Sequence, residues 1–345
     1  MKVFRGFHHP DLAPACALTI GNFDGVHRGH QAMLALLRNE AAHRGVPSCV
    51  MTFEPHPRDY FAEVQKKPEL APARIATLRD KLLELERCGV DQVVVLPFDA
   101  RLASQSPQAF IEEVLVHGLG VRYVLVGDDF RFGAKRAGDY AMLDEAAQKL
   151  GFDVARMNSY EVHGLRVSSS AVRQALGEAR MQDVAALLGR PYSISGHVVH
   201  GRKLGRELGA SQDGAGDGFR TLNLRFSHWK SAASGIFAVE VHGLTPQPLP
   251  GVANLGIRPS LDPTDVNGGR VLLETHVLGW PAELGHEGGY GKIIRVDLLH
   301  KLHEELKYDS LDALTRGIAK DCDDARAWFA SRHGETHRQT TRDRI

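Results

Sequence analysis

Nothing in this sequence marks export, oxidation or insertion into a bilayer. Its 345 residues include four cysteines, Cys16, Cys49, Cys88 and Cys322, all far apart and none in a CxxC pair. That spacing speaks against a disulfide framework and against structural zinc, and leaves reduced, mostly buried thiols. No run approaches the ~18 consecutive apolar residues of a membrane span, and the opening MKVFRGFHHPDLAPA has no apolar core of signal-peptide type. Charge of one sign is also missing. Lys+Arg and Asp+Glu number 42 each, so no global field favours nucleic acid or an anionic membrane. The expectation is a cytoplasmic protein with neither partner. Hydrophobic residues at 43% and charged residues at 24% are ordinary for a globular chain, and the length suggests two domains.

What is present divides into two patterns. Up to about residue 188, apolar runs alternate with amphipathic segments: ACALTIG, PSCVMTF, VDQVVVLPF, VRYVLVG and FDVARMNSY between helical stretches such as HQAMLALLRNEAAHRG and ARIATLRDKLLELERCG. Strands apolar throughout and separated by helices indicate a parallel sheet covered on both faces, with ligands beyond the strands' carboxyl ends. In HQAMLALLRNEAAHRG, Met33, Leu34, Leu37 and Ala41 fall at helical spacing and Gly45 is the stop. SSAVRQALGEARMQDVAALLG reads as two short helices broken near Gly177. After Gly189 come short β-branched segments, YSISGHVVHG, TLNLRF, GIFAVEVHG, GVANLGI, RVLLETHVLG and KIIRVDLL, the pattern of an antiparallel barrel or sandwich. SLDALTRGIAKDCDDARAWFASR closes as an amphipathic helix. The expected domains are 1–188 and 189–332, with a disordered polar tail over 333–345.

The densest chemistry lies in GNFDGVHRGH, after the first of those apolar runs. A helix N-terminus offers free N–H groups and a partial positive charge to phosphate. Gly25 and Gly29 allow close backbone approach, and His27 and His30 can donate to phosphate oxygens. TIGNFDGVHRGH resembles the HxGH signature of the nucleotidyltransferases, and its longer wording is similar to the adenylyltransferase half of the bacterial bifunctional riboflavin kinase/FMN adenylyltransferase (FAD synthetase) family. The family's second signature, ISSTxIR, stands here as Val167-Ser168-Ser169-Ser170-Ala171-Val172-Arg173. The resemblance implies that Gly21, Asn22, Phe23, Gly29, Ser168, Ser169, Ser170 and Arg173 hold ATP phosphates around catalytic His27 and His30. Read without it, SSSAVR is a good helix N-cap. Two further stretches match the flavin branch, TFEPHP and GDDFRFG; by resemblance Phe53, Pro55, His56, Asp129, Phe130 and Phe132 line its pockets.

In the second half, GHVVHGRKLGRELG resembles the opening of the riboflavin kinase domain, which implies that Gly201, Arg202, Lys203, Gly205, Arg206 and Gly209 cradle ATP. On spacing alone the stretch admits a phosphate loop, a solvated basic hairpin or a nucleic-acid contact. The family continues into GFPTAN. Here the Gly/Asp-rich insertion ASQDGAGDG precedes Gly218-Phe219-Arg220-Thr221-Leu222-Asn223. Thr221 and Asn223 keep the two oxygen-bearing positions that the family uses for Mg2+ with ATP. Arg220 replaces proline and Leu222 replaces alanine, which puts the loop's geometry in question. LLETHVL is similar to the family strand whose glutamate is the catalytic base, here Glu274.

The fold class expected is α/β plus β, a Rossmann-like nucleotidyltransferase domain followed by a small antiparallel barrel with a closing helix. The resemblance implies phosphorylation of riboflavin to FMN and adenylylation of FMN to FAD, with ATP as co-substrate, Mg2+ as cofactor and a possible oligomer. Activity confined to one half, another acceptor for the nucleotidyl group, or a flavin-binding regulator without turnover are the competing readings.

Overall fold

The structure is a computed structural model that describes residues 1–162, 164–200, 220–225, 230–257, 271–285 and 287–342. Contacts divide the chain into two compact units, one of 1–72 with 80–171 and one of 73–79 with 172 onward.

The first unit is built on a six-stranded sheet, ordered β1-β4-β3-β2-β5-β6 and parallel throughout. Its strands are β1 (Lys2–Arg5), β2 (Cys16–Ile20), β3 (Ser48–Phe53), β4 (Gln92–Leu96), β5 (Val121–Gly127) and β6 (Asp153–Met157). The sequence pattern anticipates all but β1, whose KVFR is short and three-quarters exposed. Every residue of β2 and β4 is buried, as strands sandwiched between helices require. Helices α1 (Arg28–Arg44), α2 (Pro57–Val64), α3 (Leu78–Arg87), α4 (Ala100–Ser104), α5 (Pro107–Ala109, continued as a wider coil over Phe110–Gly118) and α6 (Tyr140–Leu150) connect them. On one face Leu18, Ile20, Met51, Val94 and Val124 pack with Ile111, Leu115 and Leu143. On the other, Ala17 and Leu125 meet Leu37 and Ala41 of α1, while Val50 and Val93 meet Leu34 and Leu85. Gly45 ends α1 in the left-handed region at φ 64°.

The strand order carries a functional consequence. From β2 the chain steps to β3 and β4 on one side, then returns to place β5 and β6 on the other. Beyond the carboxyl end of β2, where the order reverses, is where an open α/β sheet leaves a crevice for a ligand. GNFDGVHRGH begins there. A two-stranded ribbon, β7 (Glu161–Val162) and β8 (Leu165–Arg166), follows β6 and leads into α7 (Ser169–Gly177) and α8 (Met181–Leu188).

The second unit is a closed antiparallel barrel, β10-β13-β12-β11-β14-β9, built from β9 (Tyr192–Val199), β10 (Thr221–Arg225), β11 (Gly235–His242), β12 (Leu249–Ile257), β13 (Val271–Val277) and β14 (Ile293–His303). Closure removes the open edges a sandwich would leave. Leu222, Leu224, Ala253, Leu273 and Thr275 fall on one face by register and are all buried, which fills the interior. The final helix, α9 (Leu311–Arg342), sets Cys322 and Ala325 against Ile236, Ala238 and Val252 on the barrel's outside. It runs past residue 332, where the sequence suggests a disordered tail, because HGETHRQTTR holds no proline and one glycine to stop the turn. None of the described helices is long and apolar enough to cross a membrane.

Candidate active sites

The first site grows from the turn between β2 and α1. His27 is the N-cap of α1, in extended backbone, and its Nδ1 accepts the amide N–H of His30 at 3.3 Å. With Nδ1 used as an acceptor, the proton of neutral His27 sits on Nε2, which becomes a donor. Its ring stacks on that of His30, centroids 3.6 Å apart and 14° from parallel. Phe23 supports His30 from beneath at 4.9 Å. Burial leads, with the neighbouring His27 and Lys81 adding to it, in pushing His30 well below the ordinary imidazole range, so it is neutral at physiological pH. Nδ1 of His30 is buried without a hydrogen-bond partner. A phosphate oxygen is one acceptor that would satisfy it as an N–H.

The glycine of HRGH has a steric reason. A Cβ on Gly29 would lie 3.3 Å from the His27 ring and 3.5 Å from the carbonyl of Val167. Two non-glycine residues of the turn, Phe23 at φ 49° and Val26 at φ 39°, occupy the left-handed region, 1% and 0% exposed. Such conformations persist where packing imposes them and cluster at functional sites.

The second signature meets the first. Ser168 caps α7, accepting the N–H of Ala171 at 3.1 Å, and Ser169 Oγ donates to the carbonyl of Asp24 at 3.0 Å. Ser170 is exposed. Arg173 groups with the second unit and donates Nε to the carbonyl of Ala73 at 2.7 Å.

The flavin-type motifs lie at the neighbouring strand ends. Phe53 ends β3 and meets Phe98, just past β4, edge-on at 5.7 Å; Tyr60 and Phe61 of α2 join Phe98 at 5.5 and 5.7 Å. This half-exposed aromatic group is a platform for a planar ring, and Tyr60 and Phe98 were not read from the sequence. His56 is buried and caps α2 through Nδ1, accepting the N–H of Arg58 at 3.1 Å. Pro55 follows a cis peptide and is exposed. Past β5, Asp129 is exposed. Its neighbour Asp128 is the bonded carboxylate, taking Ser159 Oγ at 2.5 Å and Arg166 at 3.5 Å; the Ser159 hydrogen bond leads in lowering its pKa. Phe132 is a core residue, backed by Phe110 and stacked at 5.4 Å on half-buried Phe130.

The second site is set by barrel register. On the outer face Glu274 of β13 stands between Asn223 of β10 and Asn254 of β12, with Thr221 opposite His276 one step along. Three residues far apart in sequence, Asn223 51 positions and Asn254 20 positions before Glu274, thus form one polar row. Asn223 is 3% exposed; its Nδ2 donates to the carbonyl of Thr221 at 3.3 Å, and its Oδ1 and that of Asn254 are buried without partners. Oxygen acceptors in want of a partner are what a hard cation takes.

Both departures from the family motif are accommodated. Leu222 points into the barrel core, away from the polar row. Arg220 is buried over the Trp280 ring at 4.8 Å and donates to the carbonyl of Gly285 at 3.0 Å; its own carbonyl pairs with Nδ1 of His276 at 2.8 Å. Burial leads in lowering the pKa of His276, which makes that nitrogen the N–H donor of a neutral ring. The six residues expected to cradle ATP, Gly201, Arg202, Lys203, Gly205, Arg206 and Gly209, lie outside the described residues, as does the insertion over 210–218.

Comparison with known proteins follows this division. A family model described as FAD synthetase matches residues 9–171, and one described as riboflavin kinase matches residues 188–329. A bifunctional riboflavin kinase/FMN adenylyltransferase of Escherichia coli (strain K12) is 45% identical over 331 residues, 95% of this chain and 98% of its own. Proteins of the same description from Pseudomonas fluorescens and Haemophilus influenzae are 42% and 40% identical, over 96% of this chain and 98% and 100% of theirs. A solved structure described as a macrolide-efflux protein of Streptococcus pneumoniae aligns with TM-score 0.69 and 24% identity, over 94% of this chain and 98% of that one, and shares the fold. With two catalytic halves in this order along its whole length, the chain belongs to the family of bifunctional riboflavin kinase/FMN adenylyltransferases.

Proposed function

We propose that the second unit transfers the γ-phosphate of ATP to the 5′-hydroxyl of riboflavin, and that the first unit then joins the FMN phosphate to the α-phosphate of a second ATP, giving FAD and pyrophosphate. The observation that carries the adenylyl step is the stacked pair of histidines at the start of α1, one capping the helix and one with a buried nitrogen in want of a partner. Neutral donors held rigidly at a helix N-terminus stabilise charge that grows on an α-phosphate in line between nucleophile and leaving group. No protein base is needed, because the attacking FMN phosphate is already ionised. Ser168, Ser169 and Gly29 bring the two signatures together, and on the motif alone Arg173 is assigned to the departing pyrophosphate. The group of Phe53, Phe98, Tyr60 and Phe61 supports a stacked isoalloxazine, with Phe130 on the other strand end.

In the kinase half, Glu274 accepts the proton of the ribityl hydroxyl as it attacks. Asn223 and Thr221 supply the oxygens that would hold Mg2+, and the orphaned Oδ1 of Asn223 fits that donor set. When bound, the cation neutralises charge on the ATP phosphates. Both reactions are assigned to the cytoplasm, where ATP is available. One incubation with riboflavin, ATP and Mg2+, with flavins separated over time, tests the whole reading. FMN followed by FAD is the expected course. Riboflavin that persists while added FMN becomes FAD would confine activity to the first unit, and flavins left unchanged would leave only a binding protein.

A further inference from the structure

Lys81 is an expensive residue with no part in the chemistry so far. It lies in α3 with its side chain wholly buried, 0% exposed, among the largest fully buried side chains of the chain. An ammonium taken out of water needs charge-directed hydrogen bonds to persist, and lysine is among the residues least often buried completely. Its Nζ donates to Thr52 Oγ1 at 3.2 Å. The Thr52 hydroxyl, itself 0% exposed, spends its own proton on the carbonyl of Asn22 at 3.3 Å. The two bonds run in one direction, from a helix behind the sheet, across the end of β3, to the first residues of GNFDGVHRGH.

That carbonyl sits where positional control matters most. Asn22 is followed by Phe23 at φ 49° and, three residues on, by Val26 at φ 39°, conformations that a free chain would leave. The Phe23 ring in turn supports His30. We propose that Lys81 is a positioning residue for adenylyl transfer: its buried ammonium, acting through Thr52, holds the Asn22 carbonyl and so fixes the turn that presents His27 and His30. A second effect follows from proximity. Lys81 is near enough to disfavour a charge on His30, after burial itself and the stacked His27. The other charged groups on this turn are the buried Asp24 and the exposed Arg28. His30 is thereby kept a neutral donor of fixed orientation while the positive charge stays behind it, on the side away from solvent.

This inference rests on the histidine reading, so the test separates the two. Lys81→Met keeps the length of the side chain and removes the charge. The expected result is a fall in kcat for FAD formation of about thirtyfold or more, with a smaller change in the KM for ATP, as for an interaction that aligns the transition state. Riboflavin phosphorylation by the same preparation stays within about twofold and reports that the chain is folded. With ring-labelled histidine, the His30 signal, assigned by His30→Gln, titrates at higher pH in Lys81→Met by about half a unit or more; a lysine that only fills space would not move it. Unchanged FAD formation, or an unmoved His30 titration, overturns the proposal. If Lys81→Met loses both activities by unfolding, Thr52→Val takes its place. It cuts the same link with an isosteric residue, and a loss of about fivefold or more is expected, an unchanged rate being fatal. If instead His30→Gln itself makes FAD at the parent rate, the histidine reading fails and not the role of Lys81 alone.

Discussion

The two proposed sites would meet the same chemical problem, ATP phosphates, with opposite constructions. The adenylyl site is local. Its histidines, glycines and supporting phenylalanine come from ten consecutive residues, and one helix cap with one ring stack sets their geometry. The kinase site is assembled from distance: Asn223, Asn254 and Glu274 meet only because three barrel strands pair in one register. A local site depends on backbone strain and on what backs it. A register site depends on the closure of the barrel, since a slip by one residue would turn every side chain to the other face.

The largest expected effects would break the comparison at its chemistry. His27→Ala should lower FAD formation by about a thousandfold, the loss seen when a preorganised donor is removed, and leave riboflavin phosphorylation unchanged. Glu274→Gln should do the reverse, costing the kinase step about a thousandfold or more if the proton must leave through that carboxylate. Assay of both steps on each variant decides it; a variant that loses both steps equally would show that the sites are not independent. Next, Asn223→Ala should cost the kinase step about a hundredfold, chiefly as weaker activation by Mg2+, read from metal titrations of the rate.

Smaller effects sharpen the contrast. Gly29→Ala pushes a methyl to 3.3 Å from the His27 ring and should slow FAD formation about tenfold with little change in melting temperature. Arg220→Pro would restore the family residue but remove the contact with Trp280 and the bond to Gly285. The expected loss is about 1–3 kcal/mol of stability, measured by urea unfolding. The smallest effect concerns the pairing of His303 with Asp321 at 2.7 Å, between the end of β14 and α9. Burial opposes the charge on His303, but the hydrogen bonds to Asp321 and to the carbonyl of Glu304 outweigh it and raise its pKa. The pair therefore stabilises fully below the ordinary histidine range, and its contribution fades as pH rises through the raised value. The stability gap between the parent and Asp321→Asn should be widest below the ordinary histidine range, at about 1 kcal/mol or less, and should shrink as pH rises above that range.

The same contrast explains what could be read in advance. Strands β2 to β6, both helices around Gly177 and all six barrel strands are legible because apolar period and turn residues are local signals. HRGH and SSSAVR are legible for the same reason. β1 is not legible because KVFR is too short to carry a period, and α2 because its eight residues bury only Ala62 and so show no apolar stripe. Tyr60, Phe98 and Lys81 carry no signal of their own: a lysine in LRDKLLELER looks like any solvated helix residue. Asp128 and Asp129 are adjacent and alike in sequence, and only the position of Ser159 and Arg166 singles out Asp128.

By itself, then, the sequence determined two folds in order and a glycine-rich turn with its histidines at a helix start, because period, capping and glycine placement act within a few residues of one another. The tertiary structure alone decided which strand ends share an edge, that Asn223 and Asn254 flank Glu274, that Arg220 is absorbed by Trp280 and Gly285, and that a buried lysine stands behind the histidines. Those depend on strand order, register and burial, which bring together groups that no short stretch of chain contains.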